Sequence, residues 1–336
     1  MLDTLRVGVI GTGRMGAFHV HANNRLDCVD LVAVADPDPV ARNAALRGRT
    51  AEEYADWRRL IEAADIDAVT VACPSELHVE VALAALDAGL HVLVEKPIAT
   101  NLPDALRLRS AARAAGRKLM VGHVERFNPI VASLRMALAE GRIGRVFRAQ
   151  ATRVGPLPHR IRDSGVAIDL ATHDLDVLQH LLDRQVEEIY ADGGRFVHDS
   201  QEDMLTCLAR FGGDDGDVLG LLDVNWLTPE PCRQLSLVGE LGMLRADYIA
   251  QTAELLVPAG TECAVELLPV VREEPLLAEL RAFARCVLDD TPEPVPAHDG
   301  VRALAAALAV RESATARRPV ALLDIPAPVS TLEVAA

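Results

Sequence analysis

A glycine turn near the start of the chain constrains its fold most. Gly11-Thr12-Gly13-Arg14-Met15-Gly16 follows directly on the apolar run Leu5–Ile10 and opens a helix-patterned segment from Met15 to about Leu26. GxGxxG between a strand and a helix is the dinucleotide fingerprint. The first glycine permits a tight turn, the second lets backbone approach a pyrophosphate, and the third lets the helix pack on the strand. Negative charge then meets the positive end of the helix dipole. Asp36 lies 20 residues beyond Gly16, at the end of a second apolar run over 31–35, where an acid accepts hydrogen bonds from a ribose. Its charge repels a 2′-phosphate, and Pro37 and Asp38 supply no cation, so the pattern favours NAD over NADP. Asp36 could instead cap the next helix, and Arg14 or Arg42 could still admit a phosphate.

Through residue 123, short apolar runs (5–10, 31–35, 68–73, 91–94, 118–123) alternate with helical stretches (39–46, 57–64, 77–88, 102–115). Such alternation means βαβ units in a parallel sheet. The style then changes. Helices are expected at 129–139, 167–182, 276–289 and 298–315, and strands at 146–154, 188–195, 204–211, 218–226, 234–238, 243–247 and 254–257. Successive strands without helices between them suggest an antiparallel or mixed sheet. The expected fold is therefore α/β: an N-terminal doubly wound Rossmann domain over 1–123 and a C-terminal α+β domain over 124–336 with a large open, mostly antiparallel sheet.

Composition narrows the function classes. The chain has 34 basic and 49 acidic residues, a net charge of −15, which argues against nucleic acid or an anionic membrane as a partner. No apolar stretch approaches 18 residues and no secretory leader is visible, so neither a spanning helix nor export is expected. Six widely spaced cysteines without a CxxC read as reduced thiols of a cytoplasmic protein.

Further candidates sit at strand ends, where open α/β sheets bind ligands. Cys73-Pro74 follows one strand, with His78 close behind, and Glu95-Lys96-Pro97 follows another. A lysine there can hydrogen-bond a substrate hydroxyl, although a solvated surface lysine is the plainer reading. Asp169 and His173 are four apart, on one face of an expected helix. Carboxylate and imidazole make an acid/base pair, and histidine ordinarily titrates near neutrality. A helix-start acid and a core histidine are the alternative. Zinc on Asp169, His173 and His123 lacks a recognised ligand spacing, so no metal is expected. Arg126 and Asn128 sit at the domain junction, and Arg153, His159, Arg160 and Arg162 precede the Asp169 helix. This local basic cluster could hold a diphosphate or be ordinary surface arginines.

Together GTGRMG at 11–16, Asp36, EKP at 95–97, the helix with Asp169 and His173, and the late segments EPLLAELRAFARCVLDD and DGVRALAAALAV resemble the Gfo/Idh/MocA family. That family is named for glucose-fructose oxidoreductase, inositol dehydrogenase and a rhizopine catabolism protein. The resemblance implies an NAD-dependent oxidoreductase acting on a CH–OH group. It implies Lys96 and His173 as catalytic, with Asp169 assisting. It implies Gly11, Gly13, Arg14, Met15, Gly16, Asp36, Cys73, Pro74, His78, Glu95 and Lys96 as the cofactor contacts. Lys96, His123, Arg126, Asn128, Arg153, Arg160, Arg162, Asp169 and His173 are the expected substrate contacts. The second domain is expected to serve both substrate binding and packing as a homodimer or homotetramer. VGHVERFNP at 121–129 and RVGPLPHRIRDSGVAIDLATHDLDVL at 153–178 look like the branch that oxidises C3 of UDP-N-acetylglucosamine. Alternatives within the family are inositol or sugar-phosphate dehydrogenases and a non-catalytic regulator that binds NAD and sugar; outside it, a metal-dependent hydrolase.

Overall fold

A computed structural model describes residues 4–157 and 164–325. The first half alternates β1 (Leu5–Ile10), α1 (Arg14–Asn23), β2 (Val29–Ala35), α2 (Pro39–Leu46), β3 (Glu52–Tyr54), α3 (Trp57–Ala63), β4 (Ala68–Val71), α4 (His78–Asp87), β5 (His91–Glu95), α5 (Leu102–Ala115) and β6 (Leu119–Gly122). The strands form one parallel sheet in the order β3-β2-β1-β4-β5-β6. Its order reverses between β1 and β4, and that switch point leaves the crevice in which such sheets bind ligands. β1, β4 and β5 are mostly apolar and buried rather than alternating, because helices cover both faces. The edge strand β3, Glu52-Glu53-Tyr54, is three largely exposed residues. It carries no hydrophobic signal and is absent from the sequence-based expectation.

The second half runs α6 (Pro129–Ala139), β7 (Val146–Pro156), α7 (Thr172–Leu182), β8 (Val186–Gly194), β9 (Met204–Phe211), β10 (Val218–Asn225), β11 (Leu227–Gly239), β12 (Met243–Asp247), β13 (Thr252–Ala259), β14 (Glu262–Leu267), α8 (Pro275–Leu288), α9 (Ala297–Ala316) and β15 (Val320–Ala321). Nine strands form a second sheet, β14-β13-β12-β11-β7-β10-β9-β8-β15. All its pairs are antiparallel except β7 with β10. β14 and β15 are also absent from the sequence reading: β14, although it carries Val265 and Leu267, is exposed along its length, and β15 is two residues long. β7 to β12 lay one face against α6, α7 and the end of α9, enclosing Ile130, Leu134, Leu175, Leu178, Leu205, Phe211, Leu237 and Val310. On the opposite face Tyr190, Leu208 and Leu221 share one row across β8, β9 and β10, with Tyr190 and Leu208 exposed.

The two halves do not divide cleanly in sequence. Leu276, Leu280 and Phe283 of α8, with Val295, Val301 and Leu304, pack into the core of the first sheet. Val121 of β6 donates its N–H to Val295 O at 3.0 Å. α9 thus begins in one core and ends in the other, where Ser313 Oγ accepts from Ala191 N at 2.9 Å.

Candidate active site

Two clefts adjoin at the carboxyl ends of β1, β4 and β5, sharing Met15, Ala72, Cys73 and Pro74. The first, about 680 Å³, is lined by Gly11, Gly13, Arg14, Asp36, Trp57 and Arg58 among others. Its shape follows from missing side chains. Gly11 has φ +87°, and a Cβ there would collide with the Ala72–Cys73 backbone. A Cβ on Gly16 would strike Gly11 O, whereas one on Gly13 meets nothing within 4 Å. The turn is therefore closed behind and open in front, where Gly13 begins α1. That end has no side-chain cap and no acid in its first turn, so its amides are free for a pyrophosphate. Asp36 accepts from Thr12 N at 2.7 Å and Asp38 N at 2.9 Å. It is not the helix cap: Asp38 accepts from Val40 N and caps α2. The cleft fits NAD: the amides of the glycine turn would hold its pyrophosphate and Asp36 its ribose. Trp57, under the Arg58 guanidinium at 4.2 Å, adds a wall that no glycine or strand-end pattern points to.

The second cleft, about 370 Å³, gathers Glu95, Lys96, Glu125, Arg153, Asp169, His173 and Arg233. Lys96 follows β5, and the Lys96–Pro97 peptide is cis. Its Nζ donates to both the carbonyl oxygen of Asp169, at 2.9 Å, and Asp169 Oδ1, at 3.1 Å. The expected helix over 167–182 is present, but its first turn, Ala167–Ala171, is a wider π turn, a form frequent at functional sites. His173 lies on α7 just beyond it. Burial, then the charges of Lys96 and Arg153, push the His173 imidazole well below its ordinary value. It is therefore neutral at pH 7, and among the described residues its Nδ1 has no hydrogen-bond partner.

The remaining expected contacts divide. His78 is buried, its ring nitrogens bonded to Pro97 O at 2.8 Å and Cys73 O at 3.0 Å; it pins the two strand-end loops together. Glu95 accepts from His19 Nε2 at 2.7 Å. Burial opposes its charge, yet that bond and the nearby cations hold the carboxyl below its usual value. Arg153 reaches the cleft wall but is buried and spent on neighbours. It donates to Asp174 at 2.9–3.1 Å and to Glu125 Oε1 at 2.7 Å, and lies over Tyr248. A diphosphate clamp built on Arg153 would have to displace these acids. Arg126 and Asn128 are corrections. The Arg126 guanidinium is bound to Asp176 and Asp299 and faces a separate cleft with Arg135, His180 and His298. Asn128 caps α6 and donates to Tyr248 O. His123 is buried, 3.7 Å from Asp176, and does not line the cleft. Arg160 and Arg162 lie outside the described residues. Sequence reasoning passed over Arg233, the most exposed cation of this cleft, because its side chain leaves the middle of an otherwise ordinary strand.

Two adjoining clefts of this kind, a glycine-lined dinucleotide crevice and a lysine–acid–imidazole group, define a nicotinamide-dependent oxidoreductase. Comparison with known proteins makes this specific. A family profile described as an oxidoreductase family with an NAD-binding Rossmann fold matches residues 5–123, and the same family's C-terminal domain matches 131–245. The chain belongs to the Gfo/Idh/MocA oxidoreductase family. It is 34% identical over 235 residues to a myo-inositol dehydrogenase of Streptomyces leeuwenhoekii, covering 67% of this chain and 71% of that one. It is 28% identical over 335 residues to a myo-inositol 2-dehydrogenase of Thermotoga maritima, covering 96% and 99%. It is 29% identical over 314 residues to the UDP-N-acetylglucosamine 3-dehydrogenase of Acidithiobacillus ferrooxidans, covering 91% and 96%. A crystal structure of that last enzyme superposes with a TM-score of 0.83 at 27% identity, covering 93% of this chain and 98% of that one. Among the described residues no helix is long and apolar enough to cross a membrane.

Proposed function

We propose that this protein is an NAD-dependent dehydrogenase that oxidises a ring hydroxyl of a sugar to the keto sugar, and that the substrate is a nucleotide sugar resembling UDP-N-acetylglucosamine, oxidised at C3. The observation that carries the dehydrogenase reading is the Lys96 amine held by Asp169, in one cleft with a neutral His173 and against the dinucleotide crevice. NAD, when bound, supplies the hydride acceptor. Asp169 fixes Lys96 Nζ, which leaves it a donor for a substrate hydroxyl oxygen. That contact favours the alkoxide form of the hydroxyl. His173, uncharged, offers a ring nitrogen to take the hydroxyl proton. The mouth of the cleft carries Arg233, half exposed and only 3.6 Å from Glu125, which suits an anionic substituent better than the buried Arg153 does.

A second reading, a free inositol or sugar-phosphate dehydrogenase, is favoured by the neutralisation of Arg153 and by similarity to inositol dehydrogenases. NADH formation measured on a panel of UDP-sugars, sugar phosphates and inositols decides between them. Turnover of inositol with none on any UDP-sugar overturns the nucleotide-sugar assignment, and no turnover on any member overturns the enzyme reading. The apolar outer row of the second sheet supports a dimer or tetramer. A single-subunit mass in light scattering at micromolar concentration removes that expectation.

A further inference from the structure

One buried acid has no role in that chemistry. Glu279, on α8, is fully buried, and among the described residues neither carboxyl oxygen has a hydrogen-bond partner. α1 packs against α8, and an ion pair joins Arg25, just past the end of α1, to Glu274 at the start of α8. The charge of Glu95, which touches His19, also acts on Glu279. Because the helices pack on each other and the end of α1 meets the start of α8, they run antiparallel. Six residues back from Arg25 is His19, and five forward from Glu274 is Glu279, nearly the same level at about 1.5 Å per residue. Asn23 lies one turn from His19 on the same helix face. His19 Nδ1 and Asn23 Nδ2 are buried and unpartnered. Several unmet polar groups in one enclosed spot are what an internal water satisfies.

The charged groups that act on Glu279 are Glu95 from β5 and Asp176 from α7, and helix register sets His19 and Asn23 of α1 at its level. Burial and the charges of Glu95 and Asp176 push the Glu279 carboxyl well above its usual value. Both effects favour the protonated form, which can donate as well as accept.

We propose that Glu279 is a positioning residue of the active site: through an internal water shared with Asn23 its carboxyl holds His19 Nδ1, and His19 holds Glu95 at the wall of the substrate cleft. Glu95 passes the constraint on, because its Oε2 accepts from the backbone N–H of Lys96 at 3.2 Å. The chain of contacts thus ends on the residue that bears the amine.

Three variants, read by infrared spectra, melting and turnover, test this. Infrared spectra of the full chain at neutral pH should show a protonated-carboxyl C=O band that Glu279→Gln lacks and Glu274→Gln, on the same helix, retains. Glu279→Gln, which still donates and accepts, should keep kcat within about twofold. Glu279→Leu should melt no lower than wild type, since it removes an unmet buried acid, yet lose about five- to tenfold in kcat, the cost of a net hydrogen bond or slightly more. An infrared band unchanged in Glu279→Gln, or a folded Glu279→Leu with wild-type kcat, overturns the proposal. The kinetic arm rests on the role given to Lys96 above and the infrared arm does not. Failure of that role shows instead as undiminished turnover in Lys96→Met.

Discussion

The two adjoining clefts are built in opposite ways. The cofactor crevice is a surface of backbone, shaped by what Gly11, Gly13 and Gly16 lack, and nearly all of it comes from the first 77 residues. The substrate cleft is a surface of charged side chains brought from β5, the 124–127 turn, β7, the π turn, α7 and β11. Its cations and acids are held by one another: Lys96 with Asp169, Arg153 with Glu125 and Asp174. A backbone cleft tolerates side-chain change around it and fails when a Cβ is added. A cleft of paired charges fails when one partner is lost, because the other is left buried and alone.

That contrast can be broken or sharpened by experiment. The largest effect is expected at Lys96. Lys96→Met keeps the stem and removes the amine, and kcat should fall about 10²–10⁴-fold, the usual worth of a positioned acid/base group, while the Kd for NAD stays unchanged. Retention of more than about a third of wild-type turnover would leave Lys96 with no acid/base role. Next is Arg153→Met, which strands Asp174 and Glu125. Breaking a buried pair in this way costs about 3–5 kcal/mol, read as a shifted midpoint in urea. A loss below about 1 kcal/mol would show the acids were never dependent on it.

A smaller effect belongs to the cofactor side. Asp36 should give at least a tenfold tighter Kd for NAD than for NADP, from lost ribose hydrogen bonds and charge repulsion of roughly 1.5–3 kcal/mol. Equal affinities would mean that the acid does not face the ribose. The smallest effect is one of pH. His180, part-buried beside Arg126 and Arg135, is pushed down to about 4 by burial first and those cations second. The unfolded chain takes up this proton near pH 6.5 and the folded one does not, so the residue costs stability as pH falls from 6.5 towards 4. The Tm of His180→Gln minus that of wild type should rise by a few degrees over that window and stay flat above pH 7. A flat difference throughout would place His180 in water.

The same contrast explains what was legible in the sequence. The crevice is written locally: a strand, six residues of turn, a helix, and an acid at a fixed distance, each forced by backbone geometry. Lys96, Asp169 and His173 were legible as chemistry because strand ends and four-residue spacing place them. Their partners were not. Nothing in the spacing from Arg153 to Asp174, or from Arg126 to Asp176 and Asp299, shows that these arginines are spent on buried acids rather than offered to substrate. Only the packing of α7 and α9 decides it. The π turn at Ala167–Ala171 and the edge strands β3 and β15 were hidden for a related reason, since each lacks a distinctive apolar period.

α8 and α9 give the first domain a dependence on chain order. The sheet assembled from residues 5–122 is sealed by Leu276, Leu280, Phe283, Val301 and Leu304, which leave the ribosome about 150 residues later. During synthesis the glycine crevice is thus made early but stands on an unfinished core until α8 and α9 arrive. A fragment ending at residue 123 would expose that apolar surface to water.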